Sequence, residues 1–269
     1  MYLCTILFPC YMNVRLAFSG IVAATSMLLA FVGCNSPSIT TDPASELTEK
    51  DIPDNFTLIT DVIPDALLDI RYFSAFNFTG DRIPGYEQPL AILTKEACDS
   101  LKVVADELRA KGLGIRIFDG YRPQCAVDAF MEWALDTLDV RAKEYFYPEL
   151  EKSVLVPQLY IALQSSHTRG STVDLTIFDK ATQKDLDMGC TYDYFGRASH
   201  PDLQPGEPAG EYKPINEEQY NNRMILRDVM LRHGFEPYVC EWWHFTLHNE
   251  PFPQTYFTFP ICDRFFPGH

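Results

Sequence analysis

The stretch Ser165-Ser166-His167-Thr168-Arg169-Gly170-Ser171-Thr172-Val173-Asp174-Leu175-Thr176-Ile177-Phe178 runs from a polar, glycine-bearing turn into a strand. Alternation from Thr172 puts Val173, Leu175 and Ile177 on one side and Thr172, Asp174, Thr176 and Phe178 on the other. Asp174 therefore points away from the apolar face, and a turn at Gly170 can fold His167 back toward it. Far downstream, Glu241-Trp242-Trp243-His244 supplies a second imidazole and a second carboxylate. His167, Asp174 and His244 are three metal ligands of the type zinc prefers, and a fourth position left to water would make such a site catalytic. Glu241, close to a ligand but not needed as one, is placed to act as general base and acid.

Outward from this core the pattern reads as an α+β domain, a mainly antiparallel sheet flanked by helices. Thr94 caps an expected helix with the stripe Ala97, Leu101, Val104, Ala105 and Leu108, and Gly112 stops it. A short strand over Gly114 to Phe118 delivers Asp119-Gly120-Tyr121-Arg122-Pro123, with Pro123 opening a helix that carries Val127, Phe130, Met131, Ala134 and Leu138 on one face. Arg122 is the candidate cation for the charge that develops during hydrolysis; beside Asp119 it can equally be a simple salt bridge. Asn216, with Gln219 three residues on and Gly234 at the far end, marks a third helix. The aromatic run Tyr238 to Leu247 should be a strand. Glu241 and His244 would project to opposite faces of a regular strand, so a bulge or bend is expected between them.

The chain has 269 residues, 46% of them hydrophobic, enough for one sizeable core. A net charge of −15 argues against nucleic acid as a partner, because phosphates require a surplus of Lys and Arg, although an acidic balance can equally be a solubility device. The charge also argues against adsorption on anionic lipid through a basic patch, while small or cationic partners stay open. Residues 12 to 33 hold one cation, Arg15, then an apolar run ending in Phe31-Val32-Gly33-Cys34. This reads as an export signal over residues 1 to 33. Its end resembles a bacterial lipoprotein cleavage site with Cys34 as the lipidated N-terminus, although Phe31 replaces the usual Leu, so ordinary secretion or an uncleaved anchor stays open. Residues 34 to 55, rich in Ser, Thr, Pro and Asp, form a flexible tether, and 56 to 269 form the catalytic domain. Membrane contact is expected only through the N-terminal anchor, which implies an extracytoplasmic location in the periplasm or cell envelope. Cys98, Cys125, Cys190, Cys240 and Cys262 lie in the domain without a CxxC pair; spacing does not choose among disulfide pairings such as Cys190 to Cys240.

From about Asp61 to Pro260 the chain resembles the VanX-type D-alanyl-D-alanine dipeptidases, within the superfamily that includes D,D-carboxypeptidases and the hedgehog signalling domain. The likeness rests on the order of Tyr72, Asn77-Phe78-Thr79-Gly80, Gly85-Tyr86, Asp119 to Pro123, Ser165 to Asp174, Met188-Gly189, Asp193 and Glu241 to His244. It implies a hedgehog/D,D-peptidase-like fold with one Zn2+ on His167, Asp174 and His244, Glu241 as general base and acid, and Arg122 as transition-state stabiliser. It also implies that Asp193 grips the substrate ammonium while Ser165, Tyr72 and Tyr86 line the pocket for a small zwitterionic dipeptide. Cys125 and Cys190 depart from the family pattern. The export signal differs from cytoplasmic resistance enzymes and suits peptidoglycan turnover. The rivals are a D,D-carboxypeptidase acting on longer wall peptides and a non-catalytic zinc-containing binding module.

Overall fold

The computed structural model describes residues 54–210 and 212–266. The export signal, the Cys34 anchor and most of the expected tether lie outside the described residues. In chain order the elements are β1 (Phe56–Leu58), α1 (Ile59–Val62), β2 (Leu67–Leu68), β3 (Ile92–Thr94), α2 (Lys95–Arg109), β4 (Leu113–Asp119), α3 (Gln124–Leu135), α4 (Lys143–Phe146) and α5 (Lys152–Leu155). They continue with β5 (Thr172–Asp179), α6 (Glu217–Arg232), β6 (Phe235–Tyr238) and β7 (Glu241–Leu247). The central sheet has the order β2-β4-β5-β7-β6, and β1 pairs with β3 apart from it. Only β2 and β4 run parallel; the other pairs are antiparallel. This is the α+β arrangement expected from the sequence.

The helices form where the caps predict. The Thr94 side chain accepts from Ala97 N and starts α2, which buries Ala97, Leu101, Val104, Ala105 and Leu108. Asn216 and Gln219 exchange hydrogen bonds in a complete capping box at the start of α6, satisfying two otherwise orphaned backbone donors. Pro123 precedes α3, whose buried residues include Val127, Phe130 and Ala134. Leu138 does not join that face: α3 ends at Leu135, and Leu138 is 89% exposed.

Two differences from the sequence reading concern the sheet. Thr172 to Phe178 is buried on both sides of β5, not on one, with Tyr192 packed against Asp174 on the second face. The expected single strand from Tyr238 to Leu247 is a hairpin corner, with β6 ending at Tyr238 and β7 starting at Glu241. Pro237 pairs with Phe245 but Tyr238 pairs with Glu241, so residues 242 to 244 are accommodated in a register shift. The irregularity expected between Glu241 and His244 is therefore present. It lets both side chains serve one face.

Gly120 follows β4 where the backbone passes very close to β3. A Cβ there would lie 2.6 Å from the Ile92 carbonyl oxygen, which also accepts from Tyr121 N at 2.7 Å. Backbone atoms cannot swing away as a side chain would. Gly120→Ala is therefore expected to lower unfolding free energy by about 1–3 kcal/mol, the usual cost of overpacking, read from urea denaturation.

Candidate metal centre and cleft

Strand register assembles the site. Asp119 on β4 is the register partner of Asp174 on β5, and Asp174 is in turn the partner of His244 on β7. Directly paired residues project from the same face of a sheet, so these three side chains stand in a row across adjacent strands. His167 arrives from a single 3-10 turn, Ser166 to Arg169, just before β5. Ser165 Oγ caps that turn by accepting from His167 N at 3.3 Å. Gly170 ends it with a left-handed φ of 84°, a conformation that costs glycine little.

The donor atoms converge. His167 Nε2 lies 3.2 Å from Asp174 Oδ1 and 3.2 Å from His244 Nδ1, and His244 Nδ1 lies 3.2 Å from Asp174 Oδ1. Tetrahedral zinc with bonds of about 2.0–2.1 Å sets its ligands about 3.3 Å apart, so this triangle has the right size. One imidazole, His167, is also fixed in the needed tautomer, because its partner is a carbonyl that can only accept. His167 Nδ1 donates to the Gly120 carbonyl at 2.7 Å, which leaves Nε2 as a lone pair, and His244 Nε2 meets Ser166 Oγ at 3.2 Å, which leaves Nδ1 facing the triangle. Asp174 Oδ1 is buried and makes no hydrogen bond, an arrangement that is costly unless a cation completes it. The residues present fit a metal ion.

Burial acts to lower the His244 pKa, but the carboxylates of Asp174 and Glu241 outweigh it and raise it to about 9. Burial likewise favours neutral Asp174, yet His167 and His244 overcome it and hold the carboxyl below its ordinary range.

The other expected residues fall into three positions. Glu241 Oε2 stands 3.4 Å from His244 Nδ1 at the rim of the triangle. Arg122 donates through Nε to Asp119 Oδ2 at 3.0 Å and extends Nη2 to within 3.7 Å of Asp174 Oδ2. Its guanidinium lies over the rings of Tyr72 and Phe130 at 5.0 and 5.1 Å. Burial disfavours its charge, but Tyr72 and Asp119 lead the groups that keep it protonated. Asp193, 4% exposed and at φ 60°, accepts from the Tyr72 hydroxyl at 3.1 Å through Oδ1, while its buried Oδ2 has no partner. Burial first, then the charges of Asp174 and Glu241, push its pKa well up. All these residues except Asp119 line a cavity of about 420 Å³, together with Ser165, Tyr72, His167, Asp174 and His244.

Tyr86 departs from expectation. It does not line this cavity but lies behind it, 1% exposed, donating to Asp119 Oδ1 at 2.8 Å. Its place is to hold the carboxylate that holds Arg122. The sequence reading missed Tyr192, whose hydroxyl donates to Asp174 Oδ2 at 3.0 Å. Its position next to Asp193 was the one signal available. Among the described residues Cys98, Cys125, Cys190, Cys240 and Cys262 are free thiols, so the Cys190 to Cys240 pairing does not form here.

A sheet-borne His, Asp, His triangle with a free glutamate and an arginine beside it defines a metallopeptidase centre. The model of the Peptidase_M15 family, described as D-ala-D-ala dipeptidase, matches residues 54–262, and the chain belongs to that family. It is 37% identical over 206 residues to a D-alanyl-D-alanine dipeptidase from Enterococcus faecalis, covering 77% of this chain and 98% of the relative. Identity is 36% over 206 residues to the same-named protein of Enterococcus faecium, with the same coverage. It is 35% over 208 residues to that of Streptomyces coelicolor, covering 77% and 98%.

Two outcomes test this geometry. Tyr192→Phe removes a donor from the outer oxygen of Asp174 and should weaken zinc binding roughly 10–100-fold in a chelator competition. Asp193→Asn should stabilise the metal-free protein at neutral pH. A carboxyl whose folded pKa is raised gives stability that is whole below its unfolded value, about 3.9, and lost as pH climbs through the folded value. The advantage of Asn over Asp, followed by denaturant titration, should therefore grow as pH rises from about 4.

Proposed function

We propose that the chain is a zinc dipeptidase that hydrolyses free D-alanyl-D-alanine to two D-alanines outside the cytoplasm, in peptidoglycan turnover. The observation that carries this reading is Asp193: a buried carboxylate with one oxygen unpartnered, in the same cleft as the metal triangle. A buried acceptor of this kind matches a free ammonium and penalises a substrate that lacks one, since its own charge would then be left unpaired. That selects a short substrate with a free N-terminus.

His167, Asp174 and His244 would hold the zinc, and when bound there it supplies Lewis acidity that makes water a usable nucleophile near neutral pH. Glu241 takes the proton of the attacking water and returns it to the departing amine. Arg122, fixed by Asp119 and stacked on Tyr72, presents a permanent positive charge to the oxygen that becomes negative as the peptide carbonyl is attacked. Asp193 and Tyr72 hold the ammonium end, so the scissile carbonyl is set at a fixed distance from it. The apolar residues Val127, Phe130 and Ile161, also in the lining, exclude water from the remaining surface.

Zinc-loaded protein given D-Ala-D-Ala, L-Ala-L-Ala and N-acetyl-D-Ala-D-Ala separates the readings. Rapid cleavage of the first alone is expected. Equal cleavage of the acetylated compound would favour a D,D-carboxypeptidase, and inertness toward all three would favour a binding module. Glu241→Gln should cut kcat by about 10²–10⁴-fold while zinc content is unchanged by metal analysis. Asp193→Ala should reduce kcat/KM on the free dipeptide by on the order of 10³-fold.

The apolar run before Cys34 supports export and lipid anchoring. Fractionation of cells making the full chain should find it with membranes, and Cys34→Ser should abolish incorporation of labelled fatty acid into the chain. A wild-type chain that stays in the cytosol would overturn the location.

A further inference from the structure

Among the described residues five buried side-chain atoms lack a hydrogen-bond partner: Arg71 Nη1, Thr168 Oγ1, Asp174 Oδ1, Asp193 Oδ2 and Trp242 Nε1. Asp174 and Asp193 contribute acceptors to the catalytic cleft, where a metal ion and an ammonium answer them. Arg71 and Trp242 contribute donors, and both line a separate cavity of about 260 Å³. Orphaned donors call for an acceptor as orphaned acceptors call for a cation.

The second cavity is built around the Arg71 guanidinium. That group lies over the rings of Phe118 and Tyr192 at 5.0 and 5.7 Å and gives only Nε to Asp69, at 2.8 Å. Trp242 Nε1 sits beside the Cys190 thiol, a weak acceptor that leaves most of its donor capacity unused. Asp185 and Asp187 share the lining. Both already accept hydrogen bonds, Asp185 from Arg116 and Asp187 from Gly189 N and Gln219, yet each carboxylate has more lone pairs than those bonds use.

We propose that this cavity is a second ligand site, which takes a small carboxylate carrying an ammonium group, that is, a free amino acid. Arg71 and the Trp242 indole receive the carboxylate, and Asp185 and Asp187 face the ammonium. An arginine fork gives a carboxylate two parallel donors, and stacking on aromatic rings holds the fork ready. The site adjoins the catalytic one. Thr176 in its wall shares the face of β5 with Asp174 two residues earlier, and Tyr192 in its wall donates to Asp174. That the amino acid is D-alanine rests on the dipeptidase reading; the ligand class does not.

The test uses saturation-transfer NMR with D-alanine, acetate and methylamine on the full chain carrying His167→Ala together with Asp193→Ala, which removes both a metal ligand and the ammonium acceptor from the first cleft. D-Alanine and acetate should bind, D-alanine more tightly, and methylamine should not displace them. Adding Arg71→Gln should weaken both by roughly tenfold or more, the effect of losing a charged hydrogen-bond partner. Trp242→Phe, which keeps an aromatic wall but removes the N–H, should weaken them severalfold and carries the test if Arg71→Gln does not fold. Unchanged binding in either folded variant, or no binding of acetate and D-alanine to the doubly substituted chain, would overturn the site. Zinc-loaded wild-type chain that leaves D-Ala-D-Ala intact, while the doubly substituted chain binds D-alanine here, would sink the dipeptidase reading and keep the site; cleavage by the wild type without such binding would do the reverse.

Discussion

The fold is organised around one buried carboxylate. Asp174 is 2% exposed in the middle strand of the sheet, where an isolated charge would be prohibitively costly. Its environment is a set of answers to that cost. Tyr192 donates to one oxygen and Arg122 approaches the same oxygen, while two imidazoles face the other. Each answer makes a demand on the chain. Arg122 needs Asp119 in register, His167 needs the Gly120 carbonyl and a turn ended by Gly170, and His244 needs the shift of register in β7. The close approach of strands at Gly120 is thus a condition for the orientation of an imidazole, not a local curiosity.

The same residues explain what could be read from the sequence. Caps, helical stripes and the alternation of β5 depend on neighbours within a few positions, and Thr94, Asn216 and Gly112 state them openly. The cluster of His167, Asp174 and His244 that could hold a metal was legible because imidazole and carboxylate are rare enough in such spacing to constrain the answer. Tyr86 and Tyr192 were not, since a tyrosine has the same one-letter appearance whether its hydroxyl meets a ligand or supports one from behind. Neither lines the cleft, and long-range packing decides that both act from behind it: Tyr86 reaches Asp119 across 33 residues and Tyr192 reaches Asp174 across 18. The hairpin at Val239 and Cys240 was hidden for another reason. It contains no glycine or asparagine, and its corner is imposed by pairing with β6. Leu138 misled because helical spacing continues past the point where α3 ends.

Charge in the cleft is uneven in a useful way. Asp119, Asp174, Asp193 and Glu241 are gathered around Arg122, and the other arginine of the cleft, Arg169, is already paired with Glu250, so the region is poised to receive cations. The overall charge of −15 matches that bias and suits a small ligand arriving with an ammonium group better than any polyanion. Much of this arrangement strains the metal-free protein. Two carboxyl oxygens are left without hydrogen-bond partners, and stability is drawn instead from the apolar layer between the sheet, α2 and α6.

One detail at the margin of the sheet has a wider meaning. His248 N donates to the Gly234 carbonyl, so the β6–β7 pairs alternate from there and Pro237 falls where a backbone N–H would face outward. β6 is the outermost strand, and Glu236, Pro237 and Tyr238 border the cleft. Many proteases hold long substrates by letting them add to such a border as one more strand. Here the imino acid withholds a donor that an added strand would need, so this edge is poorly suited to strand addition.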